Sequence, residues 1–353
     1  MRRTHFPLLA GLLAGLLLLG GCDYTATGAP QDPEASVSSE RYLESMDTIM
    51  VLTAYGSARE EALDAAEAEI LRLDALLSTG DPDSEVSAIN RDGGGVLSPD
   101  TLELVSRSLE LYEETGGAFD ITVYPLMMLW GFDDENYHVP TQEELTQTLD
   151  AVGSDRLTLD EETGQLTLDE GQAIDLGGIA KGYTSQRVME LYRAAGVTSG
   201  MVSLGGNIQC LGTRPDGTPW RIGIQDPWSV EGAIAAVIEV VDQAVITSGG
   251  YERYFVDEET GVTYQHILDP ATGYPADSGL ASVTIVSEDG TLADGLSTSL
   301  YLLGLEGSTD YWRAHSEQFE ALLIDEAGAI YVTEGLADSV TAEDGFTVLT
   351  RQP

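Results

Sequence analysis

The stretch Gly200–Gly212, "GMVSLGGNIQCLG", reads as two apolar runs folded back about a Gly205-Gly206 turn. Two glycines between apolar runs are a hairpin signal, because glycine takes positive φ without steric cost. More strand-like runs follow: "WRIGIQDP" (220–227), "AIAAVIEVV" (233–241), "QAVITSGG" (243–250) and "LASVTIVSE" (280–288). Strands in succession, mostly joined by hairpins and interrupted by helices, predict an α+β fold rather than a doubly wound α/β one.

Outward from this block the pattern holds. "DTIMVLTAYG" (47–56) alternates as a strand, and "AREEALDAAEAEILRLDALLS" (58–78) spaces Ala62, Ala66, Ile70, Leu73 and Leu77 as an amphipathic helix. Ser98-Pro99 starts a helix through about Tyr112 that stops at Gly116-Gly117. "TGGAFDITVYPLMMLWGF" (115–132) reads as a strand–turn segment with one embedded acid, Asp120. "RLTLDEETGQLTLDE" (156–170) is a hairpin, and helices are expected over 181–196 and from about Thr291 to Leu303. The expectation is one large domain of mixed and antiparallel sheets with flanking helices, over 41–353.

Residues 1–21 carry Arg2, Arg3 and an apolar run, and "LGGC" at 19–22 has the form of a lipobox. They are expected to be a lipoprotein signal peptide cleaved before Cys22, which takes the lipid, with 22–40 as a flexible tether. The chain would then be extracytoplasmic and anchored to the cell membrane. Cys210, left without a partner, is expected to be a small buried hydrophobe.

The formal charge is −44, from 60 acidic and 16 basic residues. No basic face can be assembled from that inventory, which excludes a nucleic-acid partner. An anionic small ligand would be repelled as well, unless a cation came with it and a local positive group received it.

"IDLGGIAKGY" (174–183) holds the only lysine, Lys181, after a glycine turn at a helix start where N–H groups are free. With "SLGGNIQ" (203–209) and "ITSGGYERYF" (246–255) it makes three Gly-Gly turns, a pattern suited to a backbone-lined ligand cleft. In "LADGLSTSLYLLG" (292–304), Asp294 and Thr298 share a helix face and could give two hard oxygens to Mg²⁺; a capping Asp with a back-bonded Thr is the bland alternative. His266 ends a strand just before Asp269-Pro270. His138 and His315 lie in unpatterned surroundings and are expected at the surface.

Together "MDT" (46–48), "LLSTGDPDSEVSAIN" (76–90), "TGGAFDIT" (115–122), "PLMMLWGF" (125–132), "IDLGGIAKGY", "SLGGNI" (203–208), "WRIGIQDP", "ITSGGYERYF", "HILDPATGYP" (266–275) and "ADGLST" (293–298) resemble, in this order, the ApbE family of FAD:protein FMN transferases. The resemblance implies Mg²⁺-dependent cleavage of FAD at its pyrophosphate. FMN would pass to a threonine or serine hydroxyl of an acceptor protein as a phosphoester, and AMP would leave. It implies metal ligands at Asp294, Thr298 and the carbonyl of Gly178, and FAD contacts at Met46, Phe119, Asp120, Asp175, Lys181 and Ile267. It also ties His266 to activity, and an imidazole with an ordinary value of ~6.5 is our candidate for general base on the acceptor hydroxyl. Acceptors in the family are typically subunits of membrane redox complexes or extracytoplasmic electron-transfer proteins.

Mg²⁺ would offset the two pyrophosphate charges that a chain of this acidity repels. Two other readings compete: an Mg²⁺-dependent FAD pyrophosphatase releasing FMN and AMP, and a lipoprotein that only binds flavin. Gly80 stands where several relatives carry a tyrosine, so weaker FAD retention is expected.

Overall fold

The computed structural model describes residues 32–229 and 232–352. Its central sheet starts with the hairpin Ser38–Ser45 and Thr48–Tyr55, in which Ser45 pairs with Thr48. The two-residue loop between them, Met46-Asp47, has φ of 49° and 56°. Both are left-handed values that a side chain makes costly, so Met46 is held there by its surroundings. The adjoining hairpin, Gly200–Leu204 with Asn207–Leu211, turns at Gly205-Gly206. A Cβ on Gly205 would lie 2.3 Å from Thr48 Oγ1, so only glycine lets the two turns sit side by side.

The sheet continues through Ala244–Gly249, Leu280–Ser287, Glu320–Asp325, Ile330–Thr333 and Thr347–Leu349. Its nine strands lie in the order in which they occur in the chain, antiparallel throughout except for the last pair. The α+β expectation holds.

Alternation along single strands explains the layers. Ala244 and Ile246 face helices, joined in one core by Val283, Ile285, Ala321 and Leu323. Val245, with Val286, Leu322 and Ile324, faces the other way onto a three-stranded sheet of Trp220–Gln225, Ile234–Val240 and Val340–Ala342. Over the first strands lie the helices Arg59–Leu77 and Gly177–Ala195, which bury Ala62, Leu63, Ala66, Ile70, Val188 and Met189.

Several expectations change. Glycines 177 and 178 belong to the first turn of the helix Gly177–Ala195, no strand precedes them, and Lys181 stands a turn further in. The 115–132 segment is helical rather than a strand–turn, with a 3₁₀ turn at Ile121–Val123 and a helix Tyr124–Trp130. Asp120 accepting from the Thr122 N–H nucleates that turn. The helix begun near Thr291 runs Gly290–His315, broken at Gly304 (φ 68°, ψ −177°). His315 is half-buried, stacked on Tyr311 with centroids 4.2 Å apart, because it closes that helix against the core.

The tether boundary also moves. The first strand begins at Ser38, and Asp32 accepts hydrogen bonds from Ser57 N–H (2.8 Å) and Glu34 N–H (2.9 Å), so 32–40 packs onto the domain. The signal-peptide and Cys22 readings lie outside the described residues. No helix among the described residues is long and apolar enough to cross a membrane. Cys210 is buried, which pushes its thiol up to about 12 and leaves it inert.

Candidate functional site

Two helices meet where glycine allows it. A Cβ on Gly182 would lie 2.1 Å from the Gly290 carbonyl oxygen and 2.5 Å from Asp294 Cβ. That contact seats Asp294 against the second turn of the helix Gly177–Ala195. Its Oδ2 accepts the Gly182 N–H at 2.7 Å and its Oδ1 accepts Asn207 Nδ2 at 2.8 Å. The cap of its own helix is Asp289, which accepts the Leu292 N–H at 2.9 Å, so Asp294 is free of capping duty and points inward. Burial pushes its carboxyl above the usual carboxylate range, a cost that a bound cation would reverse.

One turn on, Thr298 shares a hydrogen bond with Ser248 (3.2 Å), which also bonds Ser297 (2.7 Å). Asp294 and Thr298 thus present a carboxylate and a hydroxyl, two hard oxygens one helical turn apart. Among the described residues no group of three or more His, Cys, Asp or Glu could hold a metal. Two hard oxygens are compatible with an Mg²⁺ that takes its other ligands from backbone, substrate and water, as that ion usually does.

Lys181 donates to the Gly177 carbonyl at 3.2 Å, and its charge reaches Asp175, Glu252, His266 and Asp294. Among the described residues only Lys181, Arg214 and Arg253 carry a positive charge with no carboxylate within ion-pairing distance. Two of those three, Lys181 and Arg253, act on the same pair of groups, Asp175 and His266. Asp175 is half-buried, accepts the Gly177 N–H at 2.7 Å and has its carboxyl pushed up by burial.

His266 Nδ1 lies 3.1 Å from the Arg253 carbonyl oxygen. A carbonyl only accepts, so Nδ1 carries the proton and Nε2 is left with its lone pair. Burial first, then the charges of Arg253 and Lys181, lowers the imidazole to about 4, and it is neutral at physiological pH. Glu252 is exposed at the rim, yet the protein crowded around the cleft still pushes its carboxyl up to about 7. Behind it lies a cavity of ≈ 130 Å³ lined by Gly206, Ile208, Gly223, Thr247 and Tyr251 among others. A larger hollow of ≈ 660 Å³ lies elsewhere, around Arg107, Asp289 and Arg351, and contains none of these groups; its arginines are ion-paired.

The structure thus brings together Asp175, Lys181, His266 and Asp294, with Thr298 and Gly178 alongside by helix position. Met46 approaches the same helix at Thr184, whose hydroxyl oxygen lies 3.8 Å from its sulfur while donating to the Ala180 carbonyl at 2.7 Å. Phe119 and Ile267 are buried. The Phe119 ring supports Gly178 from below, where a Cβ would come within 3.2 Å of it. The Asp120 carboxylate is committed within the fold to Thr122 and Ser154, through N–H and hydroxyl of each. Phe119 thus packs against the start of the glycine helix, and Asp120 ties the 3₁₀ turn at Ile121–Val123 to Ser154. Arg253, Glu252 and Asn207 were not singled out by the sequence reading. Their signal was an amide or charged side chain within three residues after a Gly-Gly pair, which gains meaning only once the turns converge.

Residues 46–323 match the family model described as the ApbE family. The chain is 35% identical over 300 residues to a Vibrio cholerae protein named FAD:protein FMN transferase, covering 83% of this chain and 87% of that one. A Haemophilus influenzae protein of the same name is 36% identical over 255 residues, or 69% and 73% of the two chains. Among solved structures, the ApbE protein of Thermotoga maritima superposes with a TM-score of 0.79 at 33% identity, covering 86% of this chain and 99% of its own. The flavin transferase ApbE of Vibrio cholerae gives 0.76 at 30%, with the same coverage.

Proposed function

This chain belongs to the ApbE family, and on that premise we propose that it moves the FMN half of FAD onto a threonine or serine hydroxyl of an acceptor protein. The relatives' common activity, FAD:protein FMN transfer, makes it a transferase that takes FAD as substrate and a protein as acceptor. One observation carries the assignment to this cleft. In a chain of charge −44, two of the three unpaired cations among the described residues act on a histidine whose free nitrogen can accept a proton. Such a site receives an anionic ligand that the rest of the molecule repels.

In this reading Lys181 and Arg253 hold the pyrophosphate, and Asp175 orients the helix start by accepting the Gly177 N–H. Asp294, Thr298 and the Gly178 carbonyl would hold Mg²⁺, which when bound offsets phosphate charge and polarises phosphorus. His266 Nε2 takes the proton of the acceptor hydroxyl. The hydroxyl oxygen bonds to the FMN phosphorus, the phosphorus–oxygen bond to AMP breaks, and AMP leaves with that electron pair. Little covalent chemistry falls to the protein, so positioning and charge do most of the work.

Water could replace the hydroxyl, which would turn transfer into hydrolysis of FAD to FMN and AMP. Incubation with FAD, Mg²⁺ and a candidate acceptor separates the readings by mass. An FMN-sized gain on the acceptor supports transfer, FMN plus AMP without it means hydrolysis, and intact FAD means binding alone. His266→Ala should lose transfer while FAD still binds; near-normal transfer would remove the general-base role. Export with a lipid on Cys22 completes the reading, and Cys22→Ala should release the protein from the membrane fraction.

A further inference from the structure

His266 directly follows a two-stranded hairpin, Tyr254–Val256 with Thr263–Gln265, that belongs to no larger sheet. One face of this hairpin is fixed. Phe255 stacks on Tyr137 (centroids 5.0 Å apart) and Tyr264 (5.4 Å) and packs on Phe132 (5.7 Å). The other face is bare, with Tyr254 and Val256 each 51% exposed.

The register shows which backbone groups are free. Asp257 N–H donates to Val262 O (2.9 Å) and His266 N–H to Arg253 O (3.0 Å). Bonded and non-bonded pairs alternate in an antiparallel ladder, so Phe255/Tyr264 is bonded, while Tyr254/Gln265 and Val256/Thr263 turn their N–H and C=O groups outward. On the Gln265 side that edge is partly covered at its base: the Gln265 side chain donates to Ala276 O, and Ala276 N–H bonds Ile267 O. On the other side, no group among the described residues bonds the outward N–H or C=O of Tyr254 and Val256.

We infer that the edge Tyr254–Val256 is where the acceptor protein docks, adding an extended segment as a third strand whose threonine or serine arrives at His266. This rests on the transfer reading above, which requires a polypeptide to reach that histidine. An edge that leads from solvent to the base of the hairpin supplies main-chain hydrogen bonds without demanding a sequence. Charge specifies the segment further. Asp257, Glu258 and Glu259 crowd the hairpin tip, and Glu258 and Glu259 are exposed, so the segment carries basic residues on the side away from its hydroxyl.

The probe is a pool of synthetic peptides with one central threonine and randomised flanks, incubated with FAD, Mg²⁺ and the full chain, and read for FMN mass gain. Val256→Pro removes only an outward donor, at an edge position where proline is tolerated. It should lower labelling at least tenfold while FAD affinity, followed by flavin fluorescence, is unchanged. Glu258→Lys with Glu259→Lys should abolish the preference for basic flanks, and it decides the matter if the proline variant fails to bind FAD. Unchanged labelling by Val256→Pro with FAD affinity intact, or an unchanged flank preference in the lysine pair, would overturn the docking edge and leave the transfer reading standing. A wild-type chain that binds FAD and labels no peptide would overturn both.

Discussion

Lys181 shows how one side chain gains its meaning from charge balance. Arg187, six residues on, is neutralised by Glu190 and lies 3.6 Å from Glu69, whereas Lys181 has only a carbonyl for a partner. A charge-assisted phosphate contact is worth about 1.5–3 kcal/mol, so Lys181→Ala should weaken FAD binding roughly 10- to 100-fold and Arg187→Ala hardly at all. Titration calorimetry with FAD checks this, and equal effects would make the lone lysine a compositional accident. His266 carries a pH signature. Its folded value of about 4 lies below the ordinary 6.5, so the unfolded chain binds the proton first. The stability contributed by the neutral ring is whole above about pH 6.5 and is lost as pH falls toward 4. The base form persists through the same window, so kcat/KM should show no histidine inflection near 6.5. Such an inflection would mean that the ring keeps its ordinary value in the working enzyme. Gly80 is exposed with space around it, so Gly80→Tyr should fold normally. If an added ring stacks on flavin, FAD affinity rises by about 1 kcal/mol, roughly fivefold.

At the scale of elements, the site depends on how closely two helices approach. Gly182 faces backbone at Gly290 and the Cβ of Asp294, neither of which is a flexible chain end that can swing away. Gly182→Ala should therefore force the helices apart, costing about 1–3 kcal/mol of stability. Activity should fall further than that loss explains, because Asp294 loses the Gly182 N–H and its alignment with the glycine helix. Thermal unfolding alongside FMN transfer at a temperature where the variant is folded would test it; a stable, fully active variant would show that the contact is dispensable. The hairpins were legible because a Gly-Gly turn between apolar runs has few alternatives. The 115–132 segment was not, since its apolar run suits strand and helix alike. Its choice is made by Asp120, whose carboxylate bonds Thr122 nearby and Ser154 far along the chain. Asp120 and Phe119 stand out in the sequence, but their intramolecular partners do not, because motif position says nothing about which way a side chain turns.

For the whole molecule, 60 acids against 16 bases leave repulsion that its ion pairs cannot cancel. Many of those pairs are exposed on both partners, such as Arg91–Asp92 and Arg221–Glu239, and contribute little. Salt screens both, with a Debye length falling from about 10 Å at 0.1 M to about 3 Å at 1 M. Repulsion among so many acids outweighs these weak pairs, so Tm should rise between 0.1 and 1 M NaCl; a falling Tm would mean that the pairs dominate.

The sequence by itself determined the α+β class, the hairpin order and the family, and it singled out Lys181, Asp294, Thr298 and His266 as candidates. Those features are local: turn residues, periodicity and spacing act over a few positions, and motif order survives without coordinates. Only the tertiary structure decided that Arg253 is unpaired, that His266 keeps its proton on Nδ1, and that Asp120 bonds Ser154. Each depends on which distant groups share a low-dielectric neighbourhood, and burial and charge pairing are properties of packed space rather than of chain order.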